Sequence, residues 1–93
     1  MKTFKEFLLE DTLDEQTIHM PKATEVVSVA KTGKGIMLLT ITTAKGYEIG
    51  LPEIRTFKIC LTDEKFQDHT VKYIGSFTSN IGPKHVIEVR KGY

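Results

Sequence analysis

Tryptophan is absent from these 93 residues, cysteine occurs once and proline three times. With Cys60 alone no intramolecular disulfide can form, which fits a chain made in a reducing cytoplasm. No excess of either charge exists: 13 basic residues against 12 acidic ones leave +1. No net field therefore draws the chain to nucleic acid or to an acidic membrane. Long apolar runs are missing as well, the longest being Ile36-Met37-Leu38-Leu39 and Phe7-Leu8-Leu9. A bilayer span needs roughly 20 apolar residues and a secretory core about 7–15. The chain is expected to be soluble, without membrane contact and outside the standard export route.

Spacings that carry chemistry are equally scarce. His19, His69 and His85 lie far apart and form no close pair with Cys60 of the kind that holds zinc. Cys60 falls on an alternating segment, where a cysteine is more often a small packing residue than a nucleophile. Gly33-x-Gly35 sits between two strand-like segments instead of opening a helix, so it reads as a hairpin turn and not a phosphate cradle. Acidic residues are scattered, with no recognisable general acid and base. The chain is read as a non-enzyme with no catalytic, cofactor-binding or metal-binding residues. One nucleic-acid pattern exists, Tyr73 and Phe77 four apart with Lys72, Lys84, Arg90 and Lys91 nearby. Near-zero net charge and the need to fill a small core argue against it, and nucleic acid is not expected as a specific ligand.

What the chain does have is β periodicity. Ninety-three residues with 40% apolar and 27% charged side chains suit one small globular domain. Thr24–Thr32 is rich in β-branched residues and stops at Gly33-Lys34-Gly35. Gly35–Thr43 follows with little polar alternation before Thr40, as in a central strand covered on both faces. Glu53–Leu61 sets Phe57, Ile59 and Leu61 against Thr56, Lys58 and Cys60. Val71–Ser79 places Val71, Tyr73 and Phe77 on one face, and a turn over Asn80–Lys84 leads into His85–Arg90. Gln16–His19 adds a possible short edge strand, limited by Pro21. The spacing predicts a mainly β, antiparallel fold of five to six strands over residues 17–93, a sandwich or partly open barrel.

Residues 1–10 differ. Phe4, Phe7 and Leu8 fall at i, i+3 and i+4, and Thr3 with Glu6 has capping-box spacing. This predicts a short helix whose apolar face must dock on something, because two turns are marginal in water. Asp11–Gln16 reads as a polar linker.

Met1-Lys2-Thr3-Phe4-Lys5-Glu6-Phe7-Leu8-Leu9-Glu10 resembles the capsid-targeting leader of internal head proteins in T4-like phages. Those leaders begin Met-Lys-Thr, continue with an aromatic and a Glu-Phe pair, and end in a Leu- or Ile-x-Glu site for the prohead protease. The resemblance implies cleavage after Glu10, with Leu8, Glu10 and Asp11 forming the site and Phe4, Phe7 and Leu8 docking on scaffold. It implies a protein packed beside DNA in the virion, then ejected into the host cytoplasm to bind and inhibit a defence or other host protein. Tyr47 and Phe66, in loops Ala44–Pro52 and Thr62–Thr70, are the candidate partner contacts. The alternatives are a structural or scaffold-associated head component, a cytoplasmic adaptor, or a small-molecule-binding module.

A second resemblance, to a small phage and bacterial β domain of unknown function, rests on five segments. These are Thr17-Ile18-His19-Met20-Pro21-Lys22, Val26-Val27-Ser28-Val29, Arg55-x-Phe57, Tyr73-Ile74-Gly75-Ser76-Phe77 and His85-Val86-Ile87-Glu88. It implies a fold and supplies no activity.

Overall fold

The computed structural model describes residues 2–43, 52–65 and 71–89, and everything in them that is regular is strand. Seven strands follow in order: β1 Lys2–Leu9, β2 Gln16–Met20, β3 Thr24–Thr32, β4 Gly35–Thr43, β5 Glu53–Leu61, β6 Val71–Ser79 and β7 Gly82–Val89. They form two antiparallel sheets, β1-β4-β3 and β2-β5-β7-β6. The mainly antiparallel β expectation holds, as a two-sheet sandwich.

The helix expected over residues 1–10 does not form, and the segment is β1. All eight residues of β1 pair with β4, from Lys2 opposite Thr43 to Leu9 opposite Ile36. The same residues that fit a helical stripe also fit a strand, because Phe4 and Leu8 are four apart and share a side in either geometry. Phe7 and Leu9 take the other side. Leu9 is 2% exposed and joins the core, with Phe7 packed against it. A two-turn helix is costly to nucleate, and an existing strand offers a full ladder instead.

The phase of that ladder follows from its neighbours. Thr43 donates its N–H to Ala23 O at 3.2 Å, so the odd-numbered backbone groups of β4 turn toward β3 and the even-numbered ones toward β1. Thr3, Lys5, Phe7 and Leu9 are then the hydrogen-bonded partners of β4. Lys2, Phe4, Glu6 and Leu8 direct their N–H and C=O groups away from it. Three side-chain bonds agree: Thr40 Oγ1 donates to Lys5 O at 3.0 Å, and both backbone groups of Glu10 meet Gln16.

Asp11–Gln16 is a tied turn and not a loose linker. Thr12 N–H reaches Glu10 O at 2.9 Å, Lys84 Nζ reaches Asp11 at 2.9 Å, and Gln16 already begins β2. The core lies between the sheets. Leu9, Val26, Ile36 and Leu38 come from one, and Met20, Phe57, Ile59, Phe77 and Val86 from the other. β7 starts at Gly82, earlier than the expected His85, and Pro83 pairs with Thr78. Proline is tolerated there because pairing with β5 begins only at Lys84.

Candidate functional site

Three places on the sandwich bring polar or apolar groups together. The first is the end of the core. Arg55 and Glu88 both point between the sheets and form a two-pronged pair, with Nε and Nη2 each 2.7 Å from a carboxylate oxygen. Arg55 Nη1 also donates to Thr24 O, and the ring of Phe57 lies 5.8 Å from the guanidinium carbon. The Glu88 hydrogen bond, against the opposing effect of burial, holds the guanidinium further above its ordinary value. The open cleft here, about 860 Å³, has mixed charge on its walls from Glu25, Glu53 and Lys72. Its two buried charges already satisfy each other, so the pair is read as structural.

The second place is the outer face of the four-stranded sheet. Cys60 lies opposite His85, whose Nε2 is 2.8 Å from Thr62 Oγ1 and whose Nδ1 is 3.4 Å from Tyr73 OH. Lys58 Nζ is 3.7 Å from Cys60 Sγ and ion-paired to Glu64. This resembles a nucleophile site in its inventory but not in its electrostatics. Burial pushes the Cys60 thiol up, more than Lys58 pulls it down. A protonated, buried thiol is a packing group. Among the described residues no set of three His, Cys, Asp or Glu side chains could hold a metal ion.

Tyr73 and Phe77 do not share a face. A bulge between Tyr73 and Gly75 shifts the register, so Tyr73 is 59% exposed while Phe77 is 8% exposed in the core. The single face expected to hold Val71, Tyr73 and Phe77 is therefore not formed.

The third place is the outer face of the three-stranded sheet, which sequence reasoning missed. Three cross-strand rows build it: Phe4–Ile41–Glu25, Glu6–Leu39–Ser28 and Leu8–Met37–Ala30. Phe4 is 70% exposed and Leu8 48%, and the bulged Val27 is exposed beside them. Met37, Leu39 and Ile41 are only half-buried. The strand Gly35–Thr43 was expected to be covered on both faces, but only its even-numbered residues are buried. The unbroken apolar run was the signal for this surface.

Leu8, Glu10 and Asp11 are exposed at the end of β1, while Leu9 between them is buried. Phe4, Phe7 and Leu8 do not form one docking face, since Phe7 turns to the opposite side from the other two. Tyr47, Phe66, His69, Arg90 and Lys91 lie outside the described residues. His19 is exposed on β2.

The segments behind the second resemblance are mostly scaffold. Met20, Phe57, Phe77 and Val86 are core residues, and Thr24 Oγ1 bonds Pro21 O. Val29 would lie 3.6 Å from a Cβ added at Gly75, and Arg55 holds Glu88. No curated protein matches the chain, and no solved structure does. The model of one family, described as Domain of unknown function (DUF7352), matches residues 1–92, β1 included, and the chain belongs to that family.

Proposed function

We propose that this domain is a binding module without chemistry of its own, which docks a protein partner on the outer face of the β1-β4-β3 sheet. One observation carries the reading: the central strand of that sheet presents Met37, Leu39 and Ile41 outward, extended by exposed Phe4 and Leu8. Contiguous apolar surface of this kind marks interaction sites more than it serves stability. Glu6 and Glu25 border it, which favours a partner with apolar anchors and a basic rim. Quantitative affinity purification tests this with the wild type, Leu39→Lys and Tyr73→Ala. A partner retained by Tyr73→Ala and lost with Leu39→Lys supports the reading. Enrichment indifferent to Leu39→Lys contradicts it.

A second reading is the packaged phage protein, trimmed after Glu10 and ejected to act on a host protein. The leader-like sequence supports it, together with the exposure of Leu8, Glu10 and Asp11 at a turn. Trimming would then remove all of β1, take Leu9 from the core and uncover one edge of β4. The module reading is preferred because it leaves β1 in place. Intact mass of the protein isolated from virus particles separates the two. Loss of residues 1–10 favours packaging, and a full-length mass or absence from particles favours the module.

A further inference from the structure

β1 is an edge strand, and its open side is where the geometry points. Among the described residues it pairs only with β4, and that ladder runs over Lys2–Leu9 without a bulge or a proline. Natural edges are commonly blunted by such devices, and a long regular edge is a template for another strand. The N–H and C=O groups of Lys2, Phe4, Glu6 and Leu8 face this open side. At Glu10 the same outward groups are already taken: Gln16 Oε1 accepts from Glu10 N–H at 2.8 Å, and Gln16 Nε2 donates to Glu10 O at 2.7 Å. A side-chain amide there does what a neighbouring strand does elsewhere. Among the described residues nothing performs this service for residues 2–8.

We infer that this edge joins the same edge of a second copy of the chain, antiparallel about a two-fold axis through Phe4. The joined sheets become one six-stranded sheet. An axis perpendicular to the sheet keeps each outer face outward, so even-numbered residues must meet even-numbered residues. Three registers satisfy this near the strand centre. Centring on Lys5 sets Lys5 against Lys5 of the partner subunit, and centring on Glu6 sets two glutamates together. Centring on Phe4 stacks the two Phe4 rings and places each Lys2 opposite Glu6 of the partner subunit. It also makes Lys2, Phe4 and Glu6 the hydrogen-bonded positions, which is the phase the ladder to β4 leaves free. All three registers share this hydrogen-bond phase, and charge complementarity selects the one centred on Phe4. The partner is a copy and not a foreign strand, because the complementarity is of β1 to itself.

Sedimentation equilibrium on the full chain tests this with four proteins: wild type, Lys2→Glu, Glu6→Lys and the double variant. The wild type should dimerise with a Kd of about 1–100 µM, as for a small interface. Each single change turns two attractive pairs into repulsive ones and should weaken the dimer about five- to thirty-fold. The double variant exchanges the charges and should return to within about threefold of the wild type. Leu39→Lys alters the outer face but not the edge, so it should leave the dimer intact, and failure of partner docking is seen separately. A monomer up to roughly 1 mM overturns the inference. So does a dimer that ignores the single changes, one the double variant does not restore, or one abolished by Leu39→Lys.

Discussion

Gln16 closes both backbone groups of Glu10, accepting its N–H at 2.8 Å and donating to its carbonyl at 2.7 Å. One side-chain amide at the start of β2 therefore fastens the end of β1, where the chain turns from one sheet to the other. Gln16→Ala should cost about 1–2 kcal/mol in urea unfolding, the range for losing such bonds at a half-buried site. It should also speed cleavage at Glu10 by a glutamate-specific protease, because the turn can then open locally.

The Arg55–Glu88 pair should behave as a buried unit. The two side chains are 11% and 7% exposed. Arg55→Met or Glu88→Leu alone leaves a charged group without its partner and should cost about 3–5 kcal/mol. Arg55→Met with Glu88→Leu should cost far less than the sum of the single changes. Denaturant unfolding of the four proteins measures this coupling.

Much of the scaffold was legible in the sequence and the working surface was not. Alternation in Glu53–Leu61 separates Phe57 and Ile59 from Lys58 and Cys60, and the structure buries the first pair in the core. Three features defeated this kind of reading. A bulge after Tyr73 reverses the facing of what precedes it relative to Phe77, and nothing in the residue types announces it beyond Gly75. Phe4 and Leu8 share a side in either geometry and Phe7 fits the apolar inner side of a strand, so only the presence of β4 decides between helix and strand. The segment Gly35–Thr43 was read as covered because a strand's own sequence does not say whether its second face has a layer above it. Two segments of the second resemblance, Arg55-x-Phe57 and His85-Val86-x-Glu88, are largely the ion pair and the core.

Acid should weaken the fold through Glu64. The hydrogen bond from Lys58, then the N–H of Leu61, hold its carboxyl below the usual range. A lowered value in the folded state means the contribution is complete above the unfolded value of about 4.3 and fades as pH falls through the folded one. The Tm advantage of wild type over Glu64→Gln should therefore be present at pH 7 and shrink toward zero below about pH 4. Burial acts to lower the Lys58 ammonium, and the combined effects of Glu64 and Cys60 outweigh it, so it stays charged throughout that window.

Gly35 is where β1 and the hairpin turn meet. Its φ is +141°, and an added Cβ would lie 2.7 Å from Leu9 O. Gly35→Ala should destabilise by about 1–3 kcal/mol through backbone strain and displacement of the end of β1. Gly33→Ala, with no atom within 4 Å of its added Cβ, should stay within about 0.5 kcal/mol. Thermal unfolding of the pair compares a site that touches β1 with one that does not.

Both the outer apolar face and the open edge depend on residues 2–9 being a strand of this sheet. Residue-resolved amide exchange by NMR, at a dilution that keeps the chain monomeric, reads this most directly. Expected is an alternation, with Thr3, Lys5, Phe7 and Leu9 protected by β4 and Phe4, Glu6 and Leu8 exchanging fast. Uniformly fast exchange from residue 2 to residue 9, with the rest of the sheet protected, would contradict it.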